Sequence, residues 1–260
     1  MTNTAKSILE TRALDLSIGG KTLCRNLHLK IAHGECIGVL GQNGTGKTTL
    51  LHTLLNFRVA DKGEVLLCDR PVSDWPRKEL ATKLGILFQN SSDEMPATVL
   101  ETALLGRHPH LANWQWESST DLALAHASLA AMGIAALAER DVTTLSGGER
   151  QRLAMATLLT QAPLLYLLDE PGNHLDIAFQ VKSLALLREQ VIEKRLGLCM
   201  ATHDINLAAR FCDQILLLTG DGGFLLGPTH EVLTPANLSK AYGCEIREAS
   251  YERGKVFFPE

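Results

Sequence analysis

The stretch ECIGVLGQNGTGKTTLLHTLL, residues 35–55, constrains the fold more than any other part of the chain. Cys36–Leu40 is a continuous apolar run ending at Gly41, the pattern of a strand buried on both faces. TTLLHTLLNF, from Thr48, has the apolar spacing of a short helix. Between them Gly41…Gly46–Lys47–Thr48 fits G-x-x-x-x-G-K-[ST]. A loop made of Gly41, Gln42, Asn43, Gly44, Thr45 and Gly46 turns its backbone N–H groups inward around phosphate oxygens, and the positive end of the helix adds to that cradle. Lys47 supplies a cation for the outer phosphates, the Thr48 hydroxyl suits Mg²⁺, and Thr49 continues the cradle into the helix. The loop implies a bound nucleotide and leaves its use open: a kinase, a GTPase switch, a DNA-repair machine or a transport motor.

The surrounding pattern is α/β. ALDLSI and LHLKI each set alternate apolar residues on one face, and GEVLLCD and LGILFQN add further strands. From about Ser91 to Arg140 strand signals vanish, and DLALAHASLAAMGIAALAER (121–140) reads as helix. This is a helical insertion in an α/β core. Strands return at PLLYLLDEP, GLCMATHD and DQILLLTGDGGFLL, the last a hairpin around Gly220–Gly223. Thr234 and Pro235 cap and open a final short helix.

Length and charge limit the alternatives. At 260 residues one α/β core is expected, with room for a smaller lobe. The net charge is −4 and no Lys/Arg run appears, which argues against a nucleic-acid partner. MTNTAKSILETRAL lacks the apolar core of a signal peptide, and the most apolar stretch (153–168) is too short and too interrupted to span a bilayer. A soluble, cytosolic chain is expected. Its six cysteines form no C-x-x-C pair and most lie in apolar runs, so buried reduced thiols are expected.

Two more stretches carry chemistry. Leu164–Leu168 is an apolar run ending in Asp169 and Glu170. At a strand's carboxyl end Asp169 is suited to hold Mg²⁺, directly or through water, and Glu170 to polarise an attacking water, which favours hydrolysis. LSGGERQR (145–152) places Ser146, Gly147, Gly148 and Glu149 at the start of a helix, a second anion site in one chain.

LSGGERQR resembles the signature motif of ATP-binding cassette (ABC) ATPases. The rest of that family's pattern follows in order: Gln89 matches its Q-loop glutamine, Asp176 in GNHLD its D-loop, and His203 in ATHD its switch histidine. The resemblance covers about residues 8–230 and leaves a P-loop kinase without an account of LSGGERQR or His203. It implies one ABC ATPase domain over 1–260, with a P-loop core and antiparallel β-subdomain in 1–90 and 163–260 and a helical subdomain in 91–162. It also implies ATP and Mg²⁺ as ligands, with Glu170, His203 and Gln89 catalytic and Thr48, Gln89 and Asp169 around the metal. Two copies pack head to tail, so that Ser146, Gly147, Gly148 and Glu149 of one close over ATP on the other's P-loop.

Departures from the family are few: Thr48 stands where Ser is frequent and keeps the hydroxyl, the change at Gln42 is likewise minor, and the one at Ile18 bears on adenine binding. Gln42 stands where the family usually has Pro, and Ile18 stands where an aromatic commonly stacks on adenine. Gly172 replaces a usual Thr. TALLGRHPHL and NHLDIAFQ resemble the subfamily that imports iron–siderophores, haem and cobalamin. That implies a homodimer docked through Gln89 to His110 on a membrane permease, served indirectly by a periplasmic or extracellular binding protein. The place would be the cytoplasmic face of a bacterial inner membrane, peripherally. Trp114 and Trp116 fit either interface anchors or core aromatics. The competing class is a soluble ABC-type ATPase acting on nucleic acid or ribosomes; two cassettes, a long coiled coil or a basic surface would mark it, and none is present.

Overall fold

A computed structural model of the chain describes residues 7–88, 96–172, 176–251 and 254–260. They group into two compact units. One comprises the chain up to Trp75 with Leu167–Glu170 and Leu184–Glu260, the other Pro76–Tyr166 with Pro171–Ser183.

The first unit opens with β1 (Ser7–Ile18), β2 (Lys21–Leu27) and β3 (Lys30–Ala32), both later strands antiparallel to β1. The single strand expected over LHLKI is therefore broken. The cause is Thr11, fully buried, whose hydroxyl donates to Leu27 O at 2.9 Å and accepts from Leu29 N at 2.8 Å. It satisfies the backbone where the chain leaves one ladder for the next. β4 (Glu35–Leu40) runs through the core into α1 (Lys47–Leu54). β5 (Lys62–Leu67) pairs antiparallel with β1, and β6 (Arg70–Pro71) completes the order β2-β1-β5-β6.

The second unit holds α2 (Arg77–Lys83), β7 (Leu84–Leu87), α3 (Val99–Leu104), a 3-10 turn at Leu105–His110, α4 (Ser119–Ala131) and α5 (Gly147–Gln161). Three of these helices start with the same device, a capping box: Thr98 with Glu101, Ser118 with Asp121, Ser146 with Glu149. The helix expected over 121–140 stops at Ala131, because Gly133 takes φ +67 and a 3-10 turn at Ala135–Leu137 follows.

The chain then supplies β8 (Leu165–Asp169), α6 (Ile177–Glu193), β9 (Gly197–Ala201), α7 (Ile205–Phe211), β10 (Gln214–Leu218) and β11 (Phe224–Pro228). α8 (Thr229–Val232), α9 (Pro235–Tyr242), β12 (Ile246–Tyr251) and β13 (Gly254–Pro259) follow. In the first unit the strand order is β11-β10-β4-β9-β8, with β4 parallel to both β9 and β10. β7 comes next to β8 in the second unit, which holds Leu165 and Tyr166. The expected hairpin forms with Leu218 opposite Phe224. β4, β8 and β9 are buried along almost their whole length, as their unbroken apolar runs require.

Thr234 caps α9 by accepting from Asn237 N, as anticipated, but the β12–β13 hairpin beyond it has no counterpart in the sequence reading. Cys24, Cys36, Cys199 and Cys212 are buried free thiols, and burial pushes Cys199 up to about 12. Among the described residues, no helix is long and apolar enough to cross a membrane.

Candidate functional site

The parallel order puts three chain turns side by side at the carboxyl ends of β4, β9 and β8, where open α/β sheets bind ligands. β4 delivers the glycine-rich loop, β8 delivers Asp169 and Glu170, and β9 delivers His203. The loop's shape rests on Gly46, whose φ of +104 lies in the region that favours glycine and whose absent Cβ would meet Leu23 Cδ1 at 2.6 Å. The Thr45 hydroxyl donates to Gln42 O at 2.8 Å and closes the turn. At Gly44 the space a Cβ would enter is open, which leaves backbone N–H groups approachable from that side.

Lys47 is buried to 7% exposure, and its ammonium donates to Gly41 O at 2.9 Å and Gln42 O at 3.3 Å. It faces Glu170 Oε1 at 3.7 Å. The other carboxylate oxygen, Oε2, lies 2.7 Å from His203 Nδ1 and accepts from His203 N at 3.4 Å. One buried carboxylate thus spans a cation and a histidine whose side chain is 62% exposed. Glu170 itself holds φ +50, a conformation an L residue keeps only where its surroundings over-determine it. Here its N–H donates to Ala201 O at 2.9 Å, which fixes the turn after β8 to the end of β9.

Asp169 is buried, and burial pushes its carboxyl above the ordinary value against the pull of a hydrogen bond from the Thr48 side chain. Its Oδ1 is buried with no hydrogen-bond partner among the described residues. An unpartnered buried carboxylate oxygen beside a threonine hydroxyl has the donor chemistry of a hard-cation site, so the residues present fit Mg²⁺. Ile18 is 49% exposed at the end of β1, an apolar surface without an aromatic face. Gln89 lies outside the described residues.

In the second unit, Ser146 begins α5. Its hydroxyl accepts from Glu149 N at 3.3 Å, and Ser146 N donates to Glu149 Oε2 at 2.8 Å. The Ser146 backbone donor holds the Glu149 carboxyl below its usual range. Gly147 has open space around its missing Cβ, so Ser146, Gly147 and Gly148 present an approachable helix start that carries its own acid. Asp176 caps α6 by accepting from Phe179 N at 2.8 Å, and receives Arg152 from α5 at 3.3 Å. Gly172 now has an account: a Cβ there would overlap Gln180 Nε2 at 1.6 Å, so a threonine requires Gln180 to move.

In the GRHPH stretch Arg107 and His110 bond to neighbouring elements of the same unit. Arg107 Nε donates to Asp121 at 2.7 Å, and Nη1 donates to Thr160 O and Gln161 O at 3.2 and 3.3 Å. His110 Nε2 meets Gln161 O at 2.8 Å. Both side chains therefore satisfy orphan carbonyls at the carboxyl end of α5. Trp114 and Trp116 are 100% and 86% exposed, which removes core aromatics as their role. Asn206, whose side chain joins α7 to β13, carries no motif signal in the sequence.

Residues 24–173 match the ABC transporter family. A hemin import ATP-binding protein, HmuV, of Escherichia coli O157:H7 is 36% identical over 245 residues, 92% of this chain and 93% of that protein. A cobalamin import ATP-binding protein, BtuD, of Halobacterium salinarum is 33% identical over 238 residues, and the match spans 59% of that longer protein. Among solved structures, an inward-facing metal-chelate type ABC transporter superposes with a TM-score of 0.84 at 28% identity, covering 98% of both chains. With the phosphate loop, the Asp-Glu strand end and the histidine turn assembled on one sheet, this chain belongs to the ABC transporter ATP-binding proteins, the ATPases coupled to transport.

Proposed function

We propose that the chain is the ATP-hydrolysing subunit of an importer for a metal chelate or corrinoid: haem, an iron–siderophore or cobalamin. The observation that carries the hydrolytic part is Glu170, held between Lys47 and His203. The loop amides and Lys47 bind the phosphates, Glu170 takes the proton of the attacking water, and His203 orients on the terminal phosphate. Thr48 and Asp169, with Gln89, would hold Mg²⁺, which when bound neutralises charge on the phosphate oxygens.

ATP lies between the P-loop of one copy and Ser146, Gly147, Gly148 and Glu149 of a second in a homodimer, with Asp176 in the segment that crosses between them. The helical subdomain of this reading is 91–162, flanked by core in 1–90 and 163–260. The dimer docks peripherally on the cytoplasmic side of a permease through the region from Gln89 to His110. The exposed Trp114 and Trp116 supply apolar area beside it. A binding protein outside the membrane hands over the cargo.

The import reading is supported by relatives named for hemin and cobalamin import. A net charge of −4 without a basic run disfavours the nucleic-acid alternative. Uptake of labelled haem, ferric siderophore and cobalamin by cells lacking this chain tests it. Loss of one restored by wild type but not by Glu170→Gln is expected; normal uptake of all three sinks the reading.

A further inference from the structure

Two hydrogen-bonded joints tie the C-terminal segment to two different walls of the nucleotide site. At the first, Gln42 in the glycine-rich loop donates from Nε2 to Ala241 O at 3.1 Å. That carbonyl lies in the last turn of α9, which ends at Gly243 with φ +71, so the loop side chain serves a helix-end acceptor. A proline at position 42 has no donor to make this bond.

At the second joint, Asn206 in the first turn of α7 meets the backbone of β13 in both directions. Its Nδ2 donates to Phe257 O at 3.0 Å, and Phe257 N donates to its Oδ1 at 2.8 Å. The carboxamide reads β13 as a neighbouring strand would. Asn206 follows His203 by three residues, and Asp204 Oδ1 caps the intervening turn by accepting from Asn206 N and Leu207 N. A third bond, Ile246 N to Ser239 Oγ at 2.8 Å, fastens β12 to α9.

Followed in order, these contacts close on themselves. Gln42 leads to Ala241 and α9, Ser239 to β12, β12 to β13 by a continuous ladder, and Phe257 to Asn206. From there His203 meets Glu170, Glu170 faces Lys47, and Lys47 returns to Gln42 O. A closed circuit restrains the spacing of its members in a way that separate contacts do not. We infer that α9, β12 and β13 form a brace that sets the distance between the Lys47 loop and the His203 turn, with Gln42 and Asn206 as its positioning residues. The effect on turnover rests on the ATPase reading; the mechanical coupling does not.

The test uses the full-length chain as Gln42→Ala, Asn206→Ala and the double variant, with two readouts. The first is amide hydrogen exchange without nucleotide. Gln42→Ala is expected to speed exchange along β13, on the far side of the circuit from the substitution; unchanged exchange there overturns the brace whether or not the chain hydrolyses ATP. The second is ATPase kinetics. Each single variant is expected to lower kcat about tenfold with KM for ATP within about twofold, a loss smaller than the roughly hundredfold cost of a ~1 Å misplacement because one joint of the circuit is opened and not all.

Opening one circuit twice releases the same restraint, so the double variant is expected to lose about tenfold, not a hundredfold. A loss equal to the product of the single losses, or single variants with the wild-type kcat, overturns the proposal. Should Asn206→Ala fail to fold, Ser239→Ala opens the same circuit at the α9–β12 joint and carries the same expectations.

Discussion

Glu170 and His203 meet at 2.7 Å, Oε2 to Nδ1, while the other oxygen of the same carboxylate faces Lys47 at 3.7 Å. A carboxylate in that position is held in line with the phosphate loop by groups on two other turns, which suits it to accept a proton from water. We predict that Glu170→Gln keeps ATP binding and favours the ATP-bound dimer, because the amide is isosteric. Its kcat should fall roughly 10²- to 10⁴-fold, the usual size of a general-base contribution. Normal turnover in a monomeric variant would refute both the base and the shared site.

Gly46, like Gly41, is a position at which the loop resists a side chain. A Cβ at Gly46 meets Leu23 at 2.6 Å on top of a φ of +104. Gly46→Ala is predicted to destabilise by about 1–3 kcal/mol and to abolish measurable ATP binding. Titration with a fluorescent ATP analogue checks this; wild-type affinity would mean that the loop shape does not govern binding.

Ile18 offers adenine an apolar contact but no stacking face. An aromatic pair contributes about 0.5–1.5 kcal/mol beyond area, so Ile18→Trp is predicted to tighten ATP binding about two- to tenfold. Equal affinity of the two proteins would show that the base lies elsewhere.

Asp121 is pulled down to about 2, first by the Ser118 hydroxyl, then by Ser118 N and by Arg107. Its folded value lies below the ordinary 3.8, so the stability it contributes is full above about pH 4 and is lost as pH falls towards 2. Asp121→Asn is predicted to lower the unfolding midpoint by about 5 °C at neutral pH, equivalent to roughly 2 kcal/mol. The gap to wild type should close between about pH 4 and 2. A gap unchanged down to pH 2 would contradict the assignment.

Much of this was legible because the informative residues are local in sequence. A buried strand, a glycine loop and a helix are contiguous at 35–55, and the Asp-Glu pair terminates its own apolar run, so periodicity and spacing suffice. What escaped was set by partners distant in sequence. Thr11 breaks the strand expected over LHLKI by bonding Leu27 and Leu29 from another strand. The C-terminal hairpin buries chiefly Ile246 and Phe257, too few apolar positions for a period, and leans on a carboxamide 51 residues upstream. Arg107 and His110 read as part of a docking motif, whereas both bond carbonyls at the end of α5 that any sequence would carry, and Arg107 also bonds Asp121.

The grip of Lys47 on Gly41 O and Gln42 O has a thermodynamic corollary. A phosphate arriving at this loop does not add a contact to an idle cation; it exchanges for two carbonyls that already satisfy it. Binding then registers only the difference between two good sets of ligands, and departure of the product returns the lysine to acceptors within reach. A motor that must release its spent nucleotide every cycle gains from such an exchange, since neither state strands a charge in the protein interior.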